Sequence, residues 1–273
     1  MLYVCPLRSR SNPAPLGRFG ARQPTRRVHL VGAGRTSDCI QAGIHQDRRS
    51  KRSLVKSRAM KLYFSRNYNP RLAVAVARHL NSPVEFELRP LRARRAREIS
   101  QTQSKPGPPN TCRGEKTLWE ADAIACRLSR FAGLDFWPTD DALPDFIWWI
   151  SWGYWNFVRA CVQVHFERVT KQRYGLRPVG SEIIEAALSE FASSAAILEQ
   201  HFAGRNWLVG DELTYADFRV ACVLPFAELA GLPLADFPRV EAWHARLMKI
   251  PAWRDPFAGL DAPELPRVRG HVR

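Results

Sequence analysis

The stretch "NWLVGDELTYADF", residues 206–218, has the pattern of a helix start that is capped by its own side chains. Thr214 occupies the N-cap position, and the carboxylate of Asp217, three residues later, can accept a hydrogen bond from the N-cap backbone, as in a capping box. Leu213 and Phe218 stand where the apolar pair of a hydrophobic staple is found. We therefore predict that a helix begins here, with Thr214 and Asp217 as its structural cap.

The sequence around this cap predicts an all-helical domain over residues 145–258. Apolar residues recur at helical spacing in four segments, which are 145–172, 181–204, 213–231 and 237–251. The first segment is a long aromatic helix, or two, and it contains Trp149, Trp152 and Tyr154. Because these segments follow one another with short connections, they can pack together around one core.

A smaller domain of strands and helices is predicted upstream, over residues 60–132. "KLYFS" (61–65) predicts a strand followed by an amphipathic helix, and "VEFEL" (84–88) alternates as a second strand. "KTLWE" (116–120) predicts a third strand, with a helix directly after it over 121–132. Two further segments complete the predicted organisation: a proline-containing linker over 133–144 and a C-terminal tail over 259–273.

The net charge of +15 is concentrated in two segments that lack apolar periodicity. Residues 1–59 carry a net charge of +11 and residues 88–113 a net charge of +6, whereas the remainder carries −2. The part that looks folded is therefore slightly acidic. Because neither basic segment contains interleaved aromatic residues or a recognisable module, the charge distribution argues against a nucleic-acid-binding protein.

The two basic segments need separate interpretations. Residues 1–59 cannot bury enough apolar surface to offset their ordering entropy, so we expect a disordered or spurious extension, with a transit peptide as the alternative. Residues 88–114 form an aberrant stretch between ordered parts of the small domain. A binding arm, a linker and a compensated frameshift would each account for it, and we favour the frameshift.

Cysteine usage indicates the cellular compartment. The six cysteines lie far apart and form no CxxC pair, which argues against a disulfide framework and against a zinc site. No apolar run approaches the roughly 20 residues that a membrane-spanning helix requires. We therefore expect a cytoplasmic protein without a bound metal and without a membrane partner.

Three segments together resemble the cytosolic type of the glutathione S-transferase superfamily. "GDELTYAD" (210–217) resembles the capping-box motif that begins the buried core helix of its C-terminal domain, and "FPRVEAWHARLMKIPAWRD" (237–255) resembles the next helix. "LWEADAIACRLS" (118–129) resembles its "TESxAIxxYL" segment. The resemblance implies an α+β/α fold class, in which an N-terminal thioredoxin-like domain precedes an all-helical C-terminal glutathione-transferase domain.

The resemblance also implies a glutathione site. Glu120 would hold the γ-glutamyl amine, and the backbone N–H of Ala121, which replaces the usual Ser or Thr, would attract the γ-glutamyl carboxylate. Asp122 would either replace the missing hydroxyl in part or simply favour the helix dipole. Pro109 lies in the aberrant stretch, where the superfamily has a cis-proline turn that binds the cysteinyl backbone.

The resemblance further implies a hydrogen-bond donor for the glutathione sulfur. The tripeptide attacks as a thiolate, and a nearby donor favours the ionised sulfur. Aligning "NP" with the superfamily's common "SP" or "CS" gives Asn69 the position of the Ser or Cys, and Ser65 is the second candidate. An amide N–H can donate to a thiolate but cannot form a mixed disulfide.

The function implied is that of an enzyme that joins the glutathione thiol to an electrophilic apolar compound in detoxification. Trp149, Trp152 and Tyr154 are candidates to line the second substrate's pocket, although aromatic residues in such a helix also serve core packing. The alternative is a non-catalytic domain of the same fold for protein association, which the Ala121 and Asn69 departures favour. The expected partners are glutathione as co-substrate, an apolar small molecule and a second copy in a homodimer.

Overall fold

The computed structural model describes four parts of the chain, which are residues 3–6, 60–89, 118–176 and 179–268. Pro109 lies outside the described residues, as do nearly all of the stretch that we interpret as frameshifted and most of the segment 1–59.

The described strands form one sheet in the order β1-β2-β3. Strand β2 (Met60–Phe64) pairs in parallel with β3 (Val84–Leu88), as two strands joined by a helical crossover do. Strand β1 (Tyr3–Pro6) pairs antiparallel with β2. These four residues are the described part of the segment 1–59, and their backbone pairs with an edge of β2 that would otherwise need another partner.

The predicted third strand over 116–120 is not a strand in its described part. Leu118 makes only an isolated bridge, and Lys116 and Thr117 lie outside the described residues. Glu120 has φ +72° and ψ +134°, which takes the chain out of an extended path. The residue instead precedes helix α2 (Ala121–Ala132), whose bounds agree with the prediction.

Helix α1 (Tyr68–His79) lies at the centre of the described fold. All residues from Pro70 to Ala77 are buried, so the helix has neighbours on every side rather than one exposed face. It packs against β2 and α2 of the small domain and also against helices of the all-helical domain. The first turn of α1 is therefore held by both parts.

The long aromatic segment is one continuous helical run. Helix α3 (Leu143–Gly153) begins two residues before the predicted start and has Pro144 in its first turn, where the missing N–H costs nothing. The run continues through alternating π-helical and α-helical parts, which are π-helix Tyr154–Val158, α4 (Arg159–His165), π-helix Phe166–Thr170 and α5 (Lys171–Tyr174).

The remaining helices follow the predicted order with different ends. Gly180 is the N-cap of α6 (Ser181–His201). Helix α7 (Tyr215–Val220) gives way to a 3₁₀ helix (Ala221–Phe226) that contains Pro225, because proline lacks the N–H that an α-helix needs. The last elements are α8 (Ala227–Ala230), a 3₁₀ turn (Leu234–Asp236), α9 (Pro238–Leu247) and α10 (Pro251–Arg254).

The predicted tail is attached to the body of the protein as far as Val268. The Arg66 side chain donates from Nε to the Ala262 carbonyl (2.8 Å) and pairs with Glu264 (2.9 Å). Arg173 donates from Nε to the Pro266 carbonyl at 2.8 Å. These contacts tie the segment to both the β2–α1 connection and helix α5.

Candidate functional site

The capping box at the start of α7 is a buried hydrogen-bonded centre. Oδ2 of Asp217 accepts from the Thr214 backbone N–H (3.0 Å) and lies 3.3 Å from the Thr214 hydroxyl. Its Oδ1 accepts from the Leu208 backbone N–H (2.9 Å) and the Trp243 indole N–H (3.0 Å). Burial raises the pKa of Asp217 to about 6, although the hydrogen bonds lower it. These contacts fix α7 against the loop before it and against α9.

Helix α7 also carries Arg219, whose guanidinium brings three of the predicted site residues together. Arg219 is only 4% exposed, and its Nη1–H donates to Oδ1 of Asn69 at 3.2 Å. Its Nε lies 2.8 Å from Oδ1 of Asp122, and its guanidinium carbon lies 4.6 Å from the ring centre of Tyr154. These four residues and Tyr215 are called the Arg219 cluster below.

Tyr215 fixes the carboxylate of this cluster. Its O–H donates to Oδ1 of Asp122 at 2.6 Å, and its ring stacks on Trp137 with 5.5 Å between ring centres. Burial raises the pKa of Tyr215 well above its ordinary value, so the group stays a neutral donor. Asp122, predicted either to bind glutathione or to favour the helix dipole, is therefore held by α7 through Tyr215 and Arg219.

The two residues before Asp122 lie at the N-terminus of α2, where Glu120 is the N-cap. Ala121 is the first residue of the helix, where backbone N–H groups have no acceptor within the helix and attract anions. Glu120 is exposed and has φ +72°, a conformation that costs a residue with a side chain on the order of 1–3 kcal/mol. Strain of this kind is concentrated at functional sites, so it supports the prediction for Glu120.

Replacing Glu120 by glycine is expected to make the protein more stable than replacing it by alanine does. Both changes remove the carboxylate, but only glycine adopts φ +72° without a steric cost. After the larger chain entropy of glycine is subtracted, we expect a difference of about 1 kcal/mol in the free energy of unfolding. Urea denaturation of the two variants measures it. Equal midpoints would show that Glu120 is not strained.

The remaining predicted site residues are Ser65 and two tryptophans. Ser65 is buried directly after β2. Trp149 is 3% exposed, with its ring 4.4 Å from that of His201 and 5.4 Å from that of Trp152, so its position indicates core packing. Trp152 is half-buried in the same aromatic group. Of the three aromatic candidates, Tyr154 is the one that contacts the Arg219 guanidinium.

Sequence reasoning missed Arg219 and Tyr215. A signal was present, because Arg219 is a lone charge within "FRVACVLPF", residues 218–226, an otherwise apolar run that follows a helix cap. A charged residue on a buried helix requires a partner of opposite charge, so the arginine in this run indicates that an acidic side chain packs against it. The partner, Asp122, is 97 positions earlier in the sequence and could not be identified from spacing.

In the described ranges no helix has both the length and the apolar character to cross a bilayer. No three His, Cys, Asp or Glu side chains of the same ranges are grouped so that they could hold a metal ion.

Sequence comparison finds glutathione S-transferases. A family model described as the glutathione S-transferase C-terminal domain matches residues 181–246. The glutathione S-transferase-like protein LUC7 of a Fusarium species is 31% identical over 123 residues, which are 44% of this chain and 54% of that protein. The match thus spans about half of the length of that relative. Glutathione S-transferase 3 of Zea mays is 26% identical over 160 residues, 56% of this chain and 71% of that protein.

Comparison with solved structures gives the same fold. A glutathione transferase family member from Pseudomonas fluorescens, solved with two glutathione molecules bound, superimposes with a TM-score of 0.56 at 19% identity. The superposition covers 72% of this chain and 91% of that one. The predicted architecture, a thioredoxin-like domain followed by an all-helical domain, is confirmed.

Proposed function

Because the chain belongs to the glutathione S-transferase superfamily, we propose that it binds glutathione and transfers the glutathione sulfur to electrophilic apolar compounds. Glutathione carries two carboxylates, an ammonium group and a thiol, so a site for it needs an anion-binding element, an acid and a donor near the sulfur. The described residues provide candidates for each of these groups around the Arg219 cluster.

The observation that carries the proposal is the bridge between the first turns of α1 and α2. One guanidinium contacts Oδ1 of Asn69 on α1 and Oδ1 of Asp122 on α2, at 3.2 and 2.8 Å. The N-terminus of α2, with the Ala121 N–H, is the proposed site for the γ-glutamyl carboxylate. Glu120 beside it would hold the γ-glutamyl amine. The thiol donor and the γ-glutamyl site therefore belong to one connected group of residues.

Asn69 would supply the chemical assistance. A hydrogen bond from its Nδ2–H₂ to the glutathione sulfur favours the thiolate over the thiol, because it stabilises the ionised form. The thiolate then forms a bond to the electrophilic carbon while the leaving group departs with the electron pair of its own bond. The partly exposed ring of Tyr154 would offer an apolar surface to the second substrate. Ser65, at the end of β2, is the alternative donor.

Replacing Asn69 by alanine is expected to lower kcat/KM for an activated aryl chloride by about 10- to 100-fold, which is the value of one hydrogen bond to a charged group. Asn67→Ala is the matched control, because Asn67 is the N-cap of α1 and makes no side-chain capping bond. It should stay within about twofold of the wild type, since the half-buried Asn67 side chain gives up no capping bond when it is removed. Calorimetry with glutathione and a conjugation assay provide the two measurements.

The same measurements distinguish the alternative function. Trp148 and Trp155 are 55% and 65% exposed on one face of the long helical run, and large exposed aromatics favour a protein contact. A wild type that binds glutathione without conjugating any electrophile would therefore support a non-catalytic association domain. A wild type that does not bind glutathione would contradict the proposal itself.

A further inference from the structure

The burial of Arg219 is costly for the fold and therefore calls for an explanation. A charged side chain that is 4% exposed loses most of its hydration, and an apolar residue at such a place is often equally stable or more so. The contacts of Arg219 go to the proposed glutathione site rather than to the core alone. Its charge is balanced by Asp122, and its other polar neighbours are Asn69, Tyr154 and Cys222, whose Sγ lies 3.8 Å from Nη1.

The contact with Asn69 determines which end of the amide faces the site. An asparagine side chain has an acceptor oxygen on one side and two N–H donors on the other, whereas a guanidinium has donors only. The oxygen of Asn69 therefore has to face Arg219, at 3.2 Å from Nη1, and Nδ2 points away from it. If the amide were reversed, its oxygen would face the glutathione sulfur and repel a thiolate.

Arg219 is in turn held in one orientation. Asp122 lies 2.8 Å from its Nε, and the Tyr215 hydroxyl fixes the same carboxylate oxygen at 2.6 Å. The ring of Tyr154 covers one face of the guanidinium. The guanidinium is thus ion-paired with Asp122 at Nε while Nη1 donates to Asn69, an arrangement that a lysine ammonium cannot reproduce.

We propose that Arg219 is a positioning residue for the transfer reaction: it orients the Asn69 amide so that its N–H donors face the glutathione sulfur. This inference rests on the proposed function. The positive charge also acts through the amide, because it polarises the N–H bonds and strengthens their hydrogen bond to an anion.

The first test is Arg219→Met, with Arg168→Met as the control. Arg168 is also an arginine of the helical domain, but its Nη1 donates only to the carbonyls of Ala230 and Gly231. We expect Arg219→Met to raise the pKa of the bound glutathione thiol by about one unit, which a pH titration of the thiolate absorbance measures. At pH values below the pKa of this thiol, kcat/KM should be about tenfold lower than in the wild type. The KM for glutathione should change little. Arg168→Met should leave the pH profile in place, whatever it does to stability.

One further variant keeps the test decisive if Arg219→Met folds poorly, and a double variant adds a second test if it folds well. Asn69→Asp retains an oxygen for Arg219 and gains an ion pair, but it has no N–H donor, so we expect a folded protein with at least 100-fold lower kcat/KM. The double variant Asn69→Ala with Arg219→Met should be no less active than Asn69→Ala alone, because the arginine acts through the amide.

The outcomes separate this inference from the proposed function. A wild type that conjugates, together with an Arg219→Met pH profile like that of the wild type, would overturn the positioning role alone. An Asn69→Asp variant within twofold of the wild type would overturn that role and the assignment of Asn69 as the donor, and would leave Ser65 as the candidate. A wild type that neither binds glutathione nor conjugates would overturn both.

Discussion

Replacing Asp217 by alanine is expected to cost on the order of 3–5 kcal/mol in the free energy of unfolding. The carboxylate is fully buried and accepts hydrogen bonds from Leu208, Thr214 and Trp243. Alanine leaves three N–H donors inside the protein without their acceptor, at about 1–3 kcal/mol each. A capping box read from the sequence alone predicts only about 0.5–2 kcal/mol. The urea midpoint at unchanged m-value measures the loss.

Asp211→Ala is the matched control for this change. Asp211 precedes the same helix but is exposed, so its removal should change the free energy of unfolding by no more than about 0.5 kcal/mol. Asp217→Asn should lower the free energy of unfolding by an amount between those of Asp217→Ala and Asp211→Ala. Its amide oxygen still accepts from Leu208 and Trp243, but its NH₂ faces the N–H of Thr214. A loss below about 1 kcal/mol for Asp217→Ala would contradict the role of this carboxylate as the centre of the helical domain.

Acid is expected to destabilise the folded protein between pH 6.5 and pH 4. Burial lowers the pKa of His165 and of His244 from 6.5 to about 4, with smaller contributions from Arg173 and Arg71. In this range the unfolded chain binds protons at both rings and the folded chain does not, so the free energy of unfolding decreases as the pH falls. Each histidine contributes about 3 kcal/mol.

Asp217 opposes this trend. Its pKa is raised to about 6 in the folded state from 3.8, so between these values the folded chain binds the proton and the unfolded chain does not. Its contribution to the free energy of unfolding therefore increases by about 3 kcal/mol as the pH falls through the same range. The two histidines together outweigh it, and the net loss of the wild type should be on the order of 3–4 kcal/mol by pH 4.

His165→Phe tests the assignment. The His165 ring packs edge-on against Tyr68 and Phe226, so a phenyl ring fits these surroundings and removes the titrating group. Between pH 7 and pH 4.5, we expect the free energy of unfolding of His165→Phe to fall by at least about 2 kcal/mol less than that of the wild type. Urea midpoints at each pH measure this difference. Thr170→Val is the control, because it removes the hydroxyl 3.4 Å from Nδ1 and keeps the ring. Parallel curves for His165→Phe and the wild type would contradict the prediction.

Local patterns in the sequence determined most of the secondary structure and the cap. The bounds of α2 agree with the prediction over 121–132, and Thr214 and Asp217 form the capping box, because both features depend on residues within one or two helical turns. Predictions that needed a distant partner were less accurate. The strand over 116–120 was wrong in its described part, since extended structure depends on a neighbouring strand as well as on its own residues.

The candidate site shows the same division. The sequence, through its family resemblance, pointed to Asn69, Glu120, Ala121 and Asp122 as separate positions on two helices. Arg219 joins Asn69 to Asp122 only in the tertiary structure, where its side chain on α7 reaches the first turns of both α1 and α2. An ion pair between residues 97 positions apart leaves no periodic trace in the sequence, because it is set by how helices pack and not by the spacing along either one. The sequence therefore determined which residue types were present, and packing decided which of them meet.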